Sequence, residues 1–249
     1  MRHFRCTACG KCCVGWLPLT LKDALLHAGR FPLAVVWTPV RQAAKDFAAT
    51  ERLGFTFRTP DKKTVAVRVC PTAYIPPTMA CPALTADNLC AIHGAKPLRC
   101  KTMPFFPYRD EGHQADLLVP RPGWDCDVSP SAPSVYDGKT IVDRTDFDAE
   151  RAELLAQAPL IRPYAQRLME TAPAMASGLA KALLKPGGGH VAVSFASLLR
   201  HLPNEDRSRI AARQIGALTE ASHRLGTESS WAEYRRNYQD WAWEMERLT

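Results

Sequence analysis

Four cysteines fall within an eight-residue stretch near the N-terminus of this chain, in "CTACGKCC" at positions 6–13, and they constrain the fold more than any other feature. Thiols at this density are a disulfide framework, a redox couple or metal ligands. The whole sequence holds nine cysteines, so a scheme of intramolecular disulfides alone leaves one thiol over. The opening "MRHFRC" has positive charges but no apolar segment behind it, because cysteines and Gly-Lys intervene. No run approaches the roughly 18 apolar residues of a membrane span. A soluble, cytoplasmic protein is therefore expected, in a compartment that keeps thiols reduced. Metal or redox chemistry becomes the leading reading.

The spacing supports that reading. Cys6, Cys9 and Cys12 form C-x2-C-x2-C, which turns successive thiolates toward a common centre, with Gly10 admitting a backbone conformation other residues resist. Ferredoxin ligand loops begin in this way. Cys13 follows at once, and adjacent side chains point apart, so it either serves a second centre or is a buried thiol. A second group lies in "CPALTADNLCAIHGAKPLRC": Cys81, Cys90, His93 and Cys100, where Cys90 and His93 make a C-x2-H pair. Cys126, in "GWDC", is a late candidate ligand, whereas Cys70 ends a predicted strand and reads as core. A cubane cluster needs four thiolates, and the C-x2-C-x2-C loop supplies three. We therefore expect Cys9 and Cys12 to meet members of the Cys81, Cys90 and Cys100 group in one site, with His93 as ligand or hydrogen-bond donor. Thiolate-only ligation suits an iron–sulfur cluster of the 4Fe–4S type and zinc alike.

These motifs also carry a family resemblance. "FRCTACGKCC", "CPAL", "CAIH" and "KPLRCKTMPF" resemble the YkgJ-like CxxCxxCC cysteine-cluster family, a zinc- or iron-chelating domain, over roughly residues 4–126. Lys96 and Lys101 stand where that family usually has arginine, which keeps the charge and loses the planar fork. The resemblance tilts the cofactor toward iron–sulfur. A more distant similarity to flagellin lysine methylase implies modification of a protein or peptide side chain, such as lysine methylation. The alternative is a structural zinc module without catalysis that presents the C-terminal region to a protein partner.

The surrounding pattern predicts an α+β fold. An irregular cysteine-rich metal-binding domain with a small β-hairpin occupies residues 1–145, and an all-helical C-terminal region occupies 146–249. Thr20 and Asp23 form a capping box for a short helix that Gly29 stops. A second helix is expected over "TPVRQAAKDFAATERLG", with Thr38 as N-cap, Pro39 in the first turn and Gly54 past the end. Alternation then predicts a hairpin pairing residues 55–58 with 64–69 across a Pro60–Asp61 turn. "HQADLLVP" reads as a strand. Beyond Asp146, helical patterns are divided by Pro173, by "KPGGGH" at 185–190, read as a hinge, and by Pro203. The last helix starts after Ser230 as its cap, and its stripe of Trp231, Tyr234, Tyr238, Trp241 and Met245 is expected to pack on the core. The net charge of +7 is spread without a dense basic block, so neither a nucleic-acid nor a membrane partner is expected.

Overall fold

The computed structural model describes residues 1–59, 62–203 and 207–249 and shows an α+β architecture. Its centre is a five-stranded antiparallel sheet. A three-stranded sheet of β1 (Arg2–His3), β6 (Ser134–Asp137) and β7 (Thr140–Ile141) lies apart from it. The large sheet is built on β5 (Thr64–Ala73), which pairs along one edge with β3 (Leu33–Val40) and along the other with β2 (Leu17–Pro18) and β4 (Phe55–Arg58).

The expected hairpin is present, with Phe55 opposite Val67 and Arg58 opposite Thr64. Its Pro60–Asp61 turn lies outside the described residues. The capping box is also present: Thr20 Oγ1 accepts from the Asp23 amide at 3.1 Å and starts α1 (Leu21–Leu26). The second helix is shorter than expected. Thr38 and Pro39 belong to β3, and α2 covers only Phe47–Leu53, entered from Asp46. "LAVVWTPV" is rich in β-branched and aromatic residues, and its burial on both faces of a central strand outweighs the helix-start signal of Thr-Pro. Pro39 is tolerated because β8 (Val191–Ser194) pairs only with Ala34–Trp37, leaving the strand with a free edge at the proline. Gly54 does close α2, and no side chain fits there, since a Cβ would stand 2.3 Å from the Val67 carbonyl oxygen.

"HQADLLVP" is not a strand but two 3-10 turns, Glu111–His113 and Ala115–Leu118. The C-terminal region is helical: α4 (Thr145–Thr171), α5 (Pro173–Leu184), α6 (Phe195–Leu199), α7 (Arg207–Leu225) and α8 (Ala232–Glu246). One strand interrupts it, because "KPGGGH" leads into β8 rather than into another helix. Pro159 and Pro163 do not break α4; both lie on its exposed side, where carbonyls freed by the missing N–H groups reach water.

One hydrophobic core joins the large sheet to these helices. Trp37 lies 5.9 Å from the Tyr164 ring of α4, and Tyr238, Trp241 and Met245 of α8 are buried. The aromatic stripe thus packs inward, with Tyr238 Oη donating to the Tyr74 carbonyl at 2.5 Å. Ser230 does not cap α8; it lies in a 3-10 turn, Ser229–Trp231, and bonds Glu228 instead. Among the described residues, no helix is long and apolar enough to cross a membrane.

Candidate metal centre

The chain brings its cysteines together through backbone bridges between segments distant in sequence. Arg5 and Asp127 form an antiparallel bridge, reinforced by Thr7 Oγ1 donating to the Asp125 carbonyl at 2.8 Å, so Cys6 and Cys126 become neighbours. Val14 bridges Ala80, and the Cys81 amide donates to the Cys13 carbonyl at 2.8 Å. A third bridge, Leu84 with Cys90, folds the "CPAL" and "CAIH" motifs onto each other. Gly10, at φ +73°, lets the first loop press on the 85–89 turn, where a Cβ would meet Asn88 Oδ1 at 2.7 Å.

Cys100 is delivered by α3 (Leu98–Thr102), a one-turn helix held from outside. Asp23 of α1 accepts from the Leu98 amide at 3.0 Å, and His27 Nε2 contacts the Ala95 carbonyl at 2.9 Å. From the other side, Arg99 meets Glu150 of α4 at 3.4 Å, and it also donates to the Phe105 carbonyl. Both charged side chains are buried, at 6% and 4% exposure. Asp23, Arg99 and Glu150 escape a reading of the cysteine motifs. Arg99 is the one with a sequence signal, as the residue directly before Cys100.

Several of the thiols lie close enough to perturb one another. Burial raises the Cys126 pKa, and so do the charges of Cys9, Cys12 and Cys6. Burial pushes Cys100 up to about 12, with Cys81 and Cys90 adding to the rise while Arg99 and Lys96 oppose it. Cys81 is likewise raised by burial first and by Cys90 next. Cys13 feels Cys81, Cys100 and Cys90, yet its pKa is lowered, because the Cys12 thiol donates a hydrogen bond to it; Cys12 is raised by the same bond. Cys12 and Cys13 thus touch each other, while Cys12 also acts on Cys126 and Cys13 is acted on by Cys81, Cys90 and Cys100.

Of the expected union of Cys9 and Cys12 with the Cys81, Cys90 and Cys100 group, the neighbourhoods show Cys12 hydrogen-bonded to Cys13, which in turn lies near that group. Cys126 lies near Cys6, Cys9 and Cys12. His93 is exposed at the start of a 3-10 turn, His93–Ala95. Cys70 lies in β5, buried, its Sγ 3.2 Å from Tyr108 Oη; burial raises its pKa.

The donor chemistry fits a soft metal centre. The eight thiols outside β5 are exposed or half-buried, and two of them already accept backbone N–H groups: Ala8 to Cys6 and Ala83 to Cys81, each at 3.4 Å. Such contacts orient a thiolate ligand and moderate its charge. Among the described residues, no three His, Cys, Asp or Glu side chains stand close enough to form a finished ion site. The cysteine loops are neighbourhoods of crowded thiols, in which a cation would replace thiol protons on ligation.

An α+β scaffold that gathers eight thiols on loops, pinned by bridges and by a buried ion pair, defines a thiol-rich metal-chelating domain. Residues 5–121 match the CxxCxxCC family model, described as "Putative zinc- or iron-chelating domain". Cys126 falls just beyond the match. No curated protein and no solved structure matches the chain.

Proposed function

We propose that this domain chelates two all-thiolate metal centres, one held by Cys6, Cys9, Cys12 and Cys126 and the other by Cys13, Cys81, Cys90 and Cys100, and that the first is an iron–sulfur cluster. What supports this reading is that Cys126 neighbours Cys6, Cys9 and Cys12 while Cys13 neighbours Cys81, Cys90 and Cys100, with backbone bridges bringing Cys126 beside Cys6 and Cys81 beside Cys13. Three thiolates from a C-x2-C-x2-C loop with a fourth from a remote segment is the ligand supply of a cubane cluster, whereas zinc sites usually take ligands as separate C-x2-C pairs. When bound, such a cluster supplies one-electron redox chemistry. The second set has no pair closer than nine residues apart in sequence, and its four thiolates satisfy zinc or iron equally. The chain's own residues pin the ligand loops: Arg5–Asp127 and Thr7–Asp125 close the first set, Asp23 and the Arg99–Glu150 pair fix the helix that carries Cys100.

Anaerobic purification followed by iron, zinc and acid-labile sulfide analysis and visible absorption tests this. Sulfide matching iron in the parent protein, lost on Cys126→Ser, is the expected result. Zinc alone, without sulfide, refutes the cluster and leaves a structural zinc domain.

A further inference from the structure

A cleft of about 550 Å³ opens on the large sheet, and Cys70 is the single cysteine in its lining. Its floor is one face of two central strands, where Val36 and Thr38 of β3 stand opposite Cys70 and Arg68 of β5. These alternate residues share a face, as the two-residue period of a strand requires. The opposite face carries Trp37 and Val67 into the core.

The walls come from loops. Phe106 and Tyr108 are fixed by the buried Gln114, whose Oε1 accepts from the Phe106 amide and whose Nε2 donates to the Phe106 and Arg109 carbonyls, each at 2.9 Å. Trp16 is oriented by its indole N–H, which donates to Tyr234 Oη at 2.9 Å. The 187–189 glycine run completes the rim without side chains, with Gly187 and Gly188 at φ +78° and +91°.

The lining is cationic. It contains Arg68, Arg121 and His190 and no aspartate or glutamate. Arg68 spends one N–H on Asp46 at 2.9 Å, out of a guanidinium fork that carries about five. The same guanidinium lies 5.1 Å from the Phe106 ring and 5.7 Å from that of Tyr108, so its position is set. A planar fork of this kind matches carboxylate and phosphate oxygens. The volume lies within the roughly 300–1,000 Å³ of small-molecule sites and far exceeds a bare ion. Trp16, Pro18, Val36 and Phe106 supply apolar surface for the remainder.

We propose that this cleft binds a small organic anion, its carboxylate or phosphate facing Arg68 and Arg121 and its remainder lying along the apolar lining. None of the eight thiols outside β5 lines the cleft.

Calorimetric titration of the full-length protein as purified tests it with two matched pairs: adenosine 5′-monophosphate against adenosine, and phenylacetate against 2-phenylethanol. At least one anion is expected to bind saturably, about tenfold or more tighter than its neutral counterpart; the tighter anion tells phosphate from carboxylate. Arg68→Gln and Arg121→Gln should each remove most of that preference. Arg121 is exposed, so R121Q keeps the test valid should loss of the Arg68–Asp46 pair impair folding, and Thr38→Trp, which fills the floor, should abolish binding of both members of a pair. Equal binding of anion and neutral analogue, no binding of any probe at millimolar concentration, or parent-like binding by folded R121Q and T38W would overturn the proposal.

Discussion

Removing the Glu150 carboxylate should unsettle Cys100 from a distance. Arg99 and Glu150 face each other at 3.4 Å with only 6% and 4% of their side chains exposed. At an effective dielectric of about 20, that separation corresponds to an attraction of roughly 5 kcal/mol. Against it stands the cost of burial, which raises the Glu150 pKa and lowers that of Arg99, each toward its neutral form. Neither Arg99 Nη1 nor Glu150 Oε2 has a hydrogen-bond partner, so the contact is charge against charge without bond alignment. The pair as a whole is then worth little relative to an apolar pair of similar size, while breaking it strands a buried cation. Glu150→Ala is expected to cost about 3–5 kcal/mol, and the double replacement Arg99→Met with Glu150→Leu about 1 kcal/mol or less. Urea denaturation followed by far-ultraviolet circular dichroism measures both, and metal analysis of the folded variants reports on Cys100. A Glu150→Ala protein within about 1 kcal/mol of the parent, or a double variant as unstable as the single one, would refute the reasoning.

The partition of thiols makes a separable prediction: Cys12→Ser should lose the cluster's sulfide and keep the second metal, Cys13→Ser should do the reverse, and Cys70→Ser should leave metal content unchanged. Joint loss of both metals from either single variant, measured by elemental analysis, would speak for one shared site. Chelation should loosen the loops over residues 74–133, detected as new protease cleavage there, while circular dichroism retains the α4–α8 helices; an unchanged cleavage pattern would show that the bridges suffice without metal.

The elements legible in the sequence are those whose cause is local. Thr20 and Asp23 cap α1 because side chain and amide lie three residues apart. The 55–58 strand finds its partner across a short connection, Gly54 ends α2 where only glycine fits, and the α8 stripe follows from helical period alone. Tertiary structure decided the rest. Residues 33–40 have both a helix-start signal and β-branched side chains, and pairing on either side by β5 and β8 selects the strand. β8 itself is four residues long, too short to declare itself before β3 offers an edge. The approach of Cys126 to Cys6 and of Cys81 to Cys13 follows from bridges spanning 66 to 122 residues, Arg5 to Asp127 and Val14 to Ala80. Spacing along a chain specifies which thiolates can turn toward one centre, but which remote thiol completes it depends on a chain crossing, and that is settled only when the sheet and helices have packed.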